Sequence, residues 1–73
     1  MEMSLYRQVA EEIADQIRRG VYKPSEKLPS VRSLARARSV SISTAVMSYN
    51  LLEDWGMAEV RPKSGYYVKV ISN

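Results

Sequence analysis

The sequence contains neither cysteine nor histidine, and these two absences exclude several classes of function. No disulfide bond, Cys/His zinc site, iron–sulfur ligation, or Cys–His or Ser–His–Asp nucleophile can form. An acid/base pair would have to come from Asp and Glu. Most of these lie in the N-terminal third or at Glu53-Asp54, where they suit the surface or end of a helix. The sequence therefore argues against catalysis and predicts no catalytic or metal-binding residue.

Long hydrophobic runs and an N-terminal targeting signal are also missing. The longest apolar run is only a few residues, too short to span a membrane, and Met1-Glu2-Met3-Ser4 lacks the basic and apolar regions of a signal peptide. We therefore expect a cytoplasmic protein. A chain of 73 residues buries only about 60% of its unfolded surface, so we expect one small domain without a deep enzyme pocket.

Charge is distributed unevenly along the chain, although the net charge is only +3. Residues 27–52 contain four basic and no acidic side chains, residues 53–59 contain three acidic and no basic ones, and residues 60–73 contain three basic and no acidic ones. If the two basic stretches share one face, that face suits a polyanion. A solvated surface with chance clustering explains the charges equally well.

An amphipathic first helix is predicted from apolar residues at steps of three and four. Its stripe consists of Tyr6, Ala10, Ile13 and Ile17. The Ser4 hydroxyl is placed to cap the start of this helix, and Gly20 after Arg18-Arg19 marks its end.

Two further helices are predicted, each preceded by a serine that suits an N-cap. Ser30 opens a brief second helix, and Ser41 opens a third helix over about 42–55, which Gly56 ends. The buried stripe of the third helix is formed by Ala45, Val46, Tyr49 and Leu52.

After Gly56 the composition favours β-structure. Residues 57–60 and 66–71 are predicted strands, and the Pro and Gly of residues 61–65 suit a hairpin loop between them. Lys27-Leu28 could add a short strand, with Leu28 in the core. The expected fold class is α+β, mainly α, with three helices followed by a β-hairpin.

The second and third helices form a helix-turn-helix layout. Short hydroxyls and apolar side chains at the start of the third helix lie off its buried stripe, where they can reach phosphates, base edges or thymine methyl groups. These residues are Ile42, Ser43, Thr44 and Met47. The hairpin loop adds Arg61, Lys63 and Gly65, a basic segment whose glycine permits close backbone approach to DNA.

These residues also have structural interpretations, which the sequence leaves open. Ser30 and Ser41 are equally well explained as helix caps alone. Arg36 suits a solvated or phosphate-facing position better than a base-reading one. Tyr49 and Trp55 suit packing better than nucleobase stacking. The Tyr66-Tyr67 pair alternates across its strand, so we expect one ring in the core and one exposed.

Taken together, the motifs of the chain resemble the GntR family of bacterial transcriptional regulators. The matching segments are Leu5-Tyr6, Gly20, KLPSVRSLA at 27–35, VSISTAV at 40–46, Tyr49, Leu52-Glu53, Gly56 and RPKSGYYV at 61–68. The resemblance implies a winged helix-turn-helix domain. The last segment is most similar to the MocR subgroup, in which an aminotransferase-like domain that binds pyridoxal phosphate follows the DNA-binding domain. The chain is then expected to be an N-terminal fragment, with no cofactor of its own.

The resemblance also implies which residues contact DNA. The full set of candidate DNA-binding residues also includes Arg36 and Met47, which are chosen from the sequence pattern alone. It consists of Ser30, Arg32, Arg36, Ser41, Ile42, Ser43, Thr44, Met47, Lys63, Ser64 and Gly65. Ile42 and Met47 stand where many members carry a basic residue, so apolar contact replaces a guanine contact there. Ser25 and Ser39 replace turn glycines, so the backbone of those turns is expected to differ.

The leading hypothesis is sequence-specific binding of double-stranded DNA, with helix 42–55 in the major groove and wing 61–66 at the adjacent minor groove or backbone. Two copies would bind a pseudo-palindromic operator, with a homodimer and an effector site supplied by sequence outside this chain. The alternative is a winged-helix module for protein–protein interaction that does not bind DNA. An apolar recognition helix would favour that alternative, whereas the basic residues beside this helix favour DNA.

Overall fold

Three helices and a two-stranded antiparallel hairpin make up the computed structural model, which describes residues 4–70. The elements are α1 (Leu5–Arg18), α2 (Val31–Arg38), α3 (Ile42–Asp54), β1 (Ala58–Arg61) and β2 (Gly65–Val68). This order confirms the predicted fold class. Residue Ile71 of the predicted second strand and the residues of the N-terminus before Ser4 lie outside the described range.

The starts of α2 and α3 are fixed by the two predicted serine caps. The Ser30 hydroxyl accepts the Ser33 N–H at 3.1 Å, and the Ser41 hydroxyl accepts the Thr44 N–H at 3.0 Å. Ser4 is the N-cap residue of α1, as predicted, but the expected hydrogen bond from its hydroxyl to a backbone N–H is absent. Ser4 and Leu5 are exposed, so water can satisfy the first N–H groups of α1.

Two serines adopt the left-handed backbone conformation that favours glycine. Ser25 has a φ of 68° in the turn where the Glu26 N–H bonds the Lys23 carbonyl at 3.0 Å, and Ser39 has a φ of 56° at the end of α2. The expectation of a different backbone at these turns is therefore wrong. A Cβ makes the left-handed conformation costly but does not forbid it.

The core lies between the three helices and the inner face of the hairpin. Its buried apolar members are Val9, Ala10, Ile13, Ala14, Leu28, Leu34, Ala35, Ala45, Tyr49, Leu52, Ala58 and Val68. Ser48 is buried among them, and its hydroxyl bonds the carbonyls of Tyr6 at 2.8 Å and Thr44 at 2.9 Å. Trp55, which follows the last turn of α3, is 37% exposed and lies outside this core.

The hairpin gains a third, shorter partner from the connector between α1 and α2. Ala58 pairs with Val68 and Arg61 with Gly65 in β1–β2, and Lys27 forms a bridge with Tyr67 on the other edge of β2. The Leu28 N–H bonds the Tyr66 carbonyl at 2.8 Å. The burial of Leu28 is thereby confirmed, whereas the predicted short strand at Lys27-Leu28 is reduced to an isolated bridge at Lys27.

Candidate nucleic-acid interface

The outward face of α3 presents polar and apolar side chains without charge over its first three turns. Ser43, Met47 and Asn50 follow one another at steps of four and three and are exposed, so they lie on one side of the helix. The opposite side is buried through Ala45, Ser48, Tyr49 and Leu52. Sequence reasoning missed Asn50, whose exposure follows from the buried set.

The first turn of α3 combines an exposed apolar residue with hydroxyls already in use. Ile42 is 51% exposed. The Ser41 hydroxyl donates to the Thr44 hydroxyl at 3.0 Å while it accepts the Thr44 N–H, and Thr44 is half-buried. Ser43 is exposed, and its hydroxyl has no hydrogen-bond partner among the described residues. Ser43 is therefore the hydroxyl of this turn that is free to meet a ligand.

On α2, two of the three arginines are uncompensated within residues 4–70. Arg32 and Arg36 are exposed and have no acidic partner there. Arg38 instead pairs with Glu12 of α1 at 2.6 Å. The Ser30 hydroxyl donates to Ser33 at 3.0 Å in addition to its capping bond, so Ser30 acts chiefly as a cap in this structure.

The wing tip is a tight turn that projects one lysine. The Ser64 N–H bonds the Arg61 carbonyl at 3.0 Å, and Lys63 has a φ of 64°, which matches a turn with proline second and a left-handed residue third. The Arg61 guanidinium lies 4.0 Å from the centre of the Tyr67 ring and bonds Glu59 at 3.1 Å. Lys63 is exposed and has no such partner among the described residues.

A second lysine lies along the side of the wing. Gly65 has a φ of 128°, and a Cβ placed there would meet the Cε of Lys27 at 3.4 Å. The Lys27 side chain therefore runs past the end of the hairpin loop, although it belongs to the connector before α2. Lys27 was not among the predicted site residues. The sequence shows that Lys27 begins a stretch without acidic residues, but it does not show that this lysine contacts the wing.

One buried tyrosine joins the three parts of this surface. The Tyr49 hydroxyl of α3 donates to the carbonyl of Pro29, directly before the α2 cap, and its ring stacks on Tyr66 of β2 with centroids 4.4 Å apart. Burial, followed by the neighbouring Tyr22 and Tyr66, raises the pKa of Tyr49 far above its ordinary value of 10.0. Burial, followed by Glu53, raises the pKa of Tyr66 as well.

The two tyrosines of β2 are both half-buried. Tyr66 stacks on Tyr49, while Tyr67 lies under the Arg61 guanidinium and bonds the Ser64 hydroxyl. The expected division into one core ring and one exposed ring is wrong, because the charged and polar groups of the wing cover the outer ring.

The described residues contain little that could serve another kind of site. An open cleft of about 250 Å³ between α1 and α3 is lined by Tyr6, Met47, Asn50, Leu51 and Asp54. No group of three or more metal-ligating side chains occurs within residues 4–70, and no helix in this range is long and apolar enough to cross a membrane.

The predicted site residues thus fall into two groups. Exposed side chains without a bonding partner in the described range are Arg32, Arg36, Ile42, Ser43, Met47 and Lys63. Side chains that shape the backbone or are already bonded are Ser30, Ser41, Thr44 and Ser64, and Gly65 provides a positive φ.

Comparison with known proteins gives one consistent result. A model of the bacterial regulatory proteins of the gntR family matches residues 5–68. YjiR of Escherichia coli K12, an uncharacterized HTH-type transcriptional regulator, is 44% identical over 66 residues, which cover 90% of this chain and 14% of YjiR. The chain therefore spans about one seventh of the length of that relative.

Solved structures agree in fold. YtrA from Sulfolobus acidocaldarius, a GntR-family transcription factor, has a TM-score of 0.90 and 38% identity, covering 99% of this chain and 76% of YtrA. The DNA-binding domain of AraR in complex with its operator ORR3 has a TM-score of 0.88 and 28% identity, covering 93% of this chain and 82% of that domain.

Proposed function

This chain belongs to the GntR family of bacterial regulatory proteins, and we propose that it is the part of a transcriptional regulator that binds the operator as double-stranded DNA. The observation that carries this proposal is the combination of an exposed, uncharged start of α3 with uncompensated cations on α2 and at the wing. Cations on both flanks can neutralise phosphates while the helix between them meets base edges. The AraR domain, of similar fold, was solved on its operator.

The proposed arrangement places the first turns of α3 in the major groove and the wing against the adjacent minor groove or backbone. Arg32 and Arg36 would bind phosphate beside the groove, and Lys63, with Lys27 behind it, would do so at the wing. Ser43, Ile42 and Met47 would contact base edges. Ser30 and Ser41 would hold the helix starts that present these residues, and Gly65 the turn of the wing.

Tyr49 gives the arrangement its rigidity. Its hydroxyl holds the Pro29 carbonyl before α2, and its ring holds β2 through Tyr66. The start of α2 and the wing are therefore both held by Tyr49, a buried side chain of α3. A fixed spacing between cations and reading helix is what a repeating array of phosphates requires.

We further propose that sequence outside this chain supplies a homodimer, which would match a pseudo-palindromic operator, and the effector site. The RPKSGYYV segment at 61–68 supports membership of the MocR subgroup. In that case an aminotransferase-like domain would bind pyridoxal phosphate, through a lysine outside this chain. The chain itself would act in the cytoplasm as a binding domain and not as an enzyme.

The test is fluorescence anisotropy of the chain with a generic duplex at several salt concentrations. We expect a dissociation constant of about 10⁻⁴–10⁻⁶ M that weakens steeply with salt. Arg32→Ala and Lys63→Ala should each weaken binding and lower the slope of log K against log salt by about one. Arg19→Ala removes the same charge directly after α1, where Arg19 pairs with Asp15 of that helix, and should leave the slope unchanged.

Absence of binding at low salt would contradict DNA binding by this chain. Equal effects of all three substitutions would point to net charge alone and would remove the proposed contacts. The protein-interaction alternative would then gain support from any partner that binds the exposed Ile42 and Met47 side chains.

A further inference from the structure

The reading face of α3 lacks the side chains that most often read guanine. Ile42–Asp54 contains no lysine and no arginine, and the commonest specific contact in the major groove is a bidentate bond from one of these residues to guanine O6 and N7. A guanine in the operator would therefore meet no strong partner on this helix.

The same face carries a side chain whose geometry suits adenine. Asn50 is exposed on the line of Ser43 and Met47, and its amide has no hydrogen-bond partner among the described residues. An asparagine amide can accept from adenine N6 and donate to adenine N7 at the same time. The free amide of Asn50 is thus the strongest candidate for direct base recognition on α3.

The other exposed large side chains at the start of α3 are apolar: Met47 lies on the same face as Asn50, and Ile42 lies at the first residue of the helix, to one side of that face. Ile42 is 51% exposed and Met47 is 45% exposed. In the major groove, the base group that favours apolar contact is the C5-methyl group of thymine. Methyl contacts by these side chains would favour A·T pairs, as the adenine contact of Asn50 does.

We propose that α3 reads a short A·T segment, in which Asn50 pairs with adenine and Met47 and Ile42 contact thymine methyl groups. The inference rests on the proposed function and names the class of DNA that the helix recognises. From Ser43 to Asn50 the helix rises about 10 Å, which corresponds to roughly three base-pair steps. Three steps join four base pairs, so the segment read by this face is about four base pairs in each half-site.

Acidic residues set the far limit of the contact. Glu53 and Asp54 occupy the last turn of α3, and Asp54 is exposed one turn beyond Asn50. Their negative charge opposes close approach of phosphates. Base reading by α3 therefore ends at Asn50.

The wing could produce a similar preference by another route, and the experiment has to separate the two. A·T tracts narrow the minor groove and attract lysine there, so an A·T preference alone would not identify Asn50. Replacing adenine by 7-deazaadenine removes the N7 acceptor from the major groove and leaves the minor-groove edge unchanged. This change reports on Asn50 and not on Lys63.

The experiment begins with selection from a randomised duplex library at low salt, using the wild-type chain, Asn50→Ala and Asp54→Asn. Wild type should select an A·T segment, and Asn50→Ala should lose the preference for adenine at one position, which is expected to be about 5- to 150-fold in wild type. Asp54→Asn, an exposed change on the same face, should tighten binding to all sequences and keep the selected motif.

Anisotropy on the selected duplex then tests the contact itself. Substitution of 7-deazaadenine at that position should weaken wild-type binding at least about 5-fold and leave Asn50→Ala unaffected. Deoxyuridine in place of thymine should weaken wild type but have a smaller effect on Met47→Ala or Ile42→Ala. Circular dichroism of each variant verifies that it is folded.

The outcomes separate this inference from the proposed function. Selection of a G·C motif, or the same adenine preference in Asn50→Ala, would overturn the inference while DNA binding stands. Binding without any selected motif would do the same. Failure of wild type to bind any duplex would overturn the proposed function and, with it, the reading of A·T pairs.

Discussion

The centre and the flanks of the proposed DNA surface differ in charge. The exposed face of α3 carries Ser43, Met47 and Asn50, whereas α2 presents Arg32 and Arg36 and the wing presents Lys63. Base edges are read by hydrogen bonds and methyl contacts, while phosphates attract cations regardless of sequence. We therefore expect affinity to depend mainly on the flanks and selectivity on the central helix, so that the two properties can be changed separately.

The largest expected effect follows from removing the side chain that joins centre and flanks. Tyr49 is fully buried, and Tyr49→Ala should cost about 3–5 kcal/mol, as for other large aromatic truncations. That is a large part of the roughly 4–11 kcal/mol expected for a domain of this size. Urea unfolding followed by circular dichroism measures the loss. DNA binding should weaken in proportion to the fraction of the variant that is unfolded.

Tyr49→Phe is the matched control for this prediction. It keeps the stacking on Tyr66 and removes only the hydrogen bond to the Pro29 carbonyl, so about 1 kcal/mol should be lost. If the phenylalanine variant were as unstable as the alanine variant, the hydroxyl and not the packing of the ring would connect the flanks to α3.

Alkaline pH should lower the free energy of unfolding through the same residue, Tyr49, without a mutation. The pKa of Tyr49 is raised in the folded state, so above about pH 10 the unfolded chain loses this proton while the folded chain keeps it. Stability is therefore fully present below pH 10 and falls as pH rises beyond it, by up to about 1.4 kcal/mol per pH unit for each such group. Tyr66 contributes in the same direction.

Unfolding free energies measured from pH 8 to 12 test this prediction. Tyr49→Phe should show a shallower decline above pH 10 than wild type, because it lacks one of the two groups. Equal slopes in the two proteins would mean that Tyr49 does not govern the alkaline transition.

Gly65→Ala should disturb the wing and leave base reading by α3 unchanged. A φ of 128° is strained for alanine and should cost about 1–3 kcal/mol. Its Cβ would also meet the Cε of Lys27 at 3.4 Å, although that flexible side chain can move. Thermal unfolding should show the loss, and the salt slope of DNA binding should fall while the selected base motif stays the same.

Combining Gly65→Ala with Lys27→Ala separates the two causes. If backbone strain dominates, removing the lysine side chain will not restore stability. Full recovery in the double variant would instead assign the effect to the contact between the two residues.

Local signals in the sequence predicted most of the fold. The serine caps of α2 and α3, the glycine at the end of α3 and the Pro and Gly of the wing each act within a few residues, so they can be recognised in the chain. At Ser4 the same kind of local signal predicted where α1 begins but not the side-chain hydrogen bond, which is absent there.

Long-range contacts account for what sequence reasoning missed at the site. Lys27 reaches the wing through its bridge to Tyr67, and Arg38 is removed from the cationic surface by Glu12. Ser48, a polar residue, occupies the buried face of α3 through its bonds to the carbonyls of Tyr6 and Thr44. A pattern of polar and apolar residues does not reveal a buried, hydrogen-bonded serine.

The smallest expected effect concerns the turn that sets the angle between the cationic α2 and the neutral α3. Ser39 has a φ of 56° and is exposed, and the Val40 N–H bonds the Ala35 carbonyl at 2.9 Å across it. Ser39→Gly removes the strain of a Cβ in this conformation but increases the entropy of the unfolded chain. We expect a net gain of about 0.5–1 kcal/mol, measured by thermal unfolding, with unchanged affinity for a generic duplex.

Ser25→Gly, which changes a turn outside the two helices, should give a similar gain. A loss of stability at Ser39 alone would show that its side chain stabilises the turn, and a change in affinity would show that this turn adjusts the flank relative to the centre.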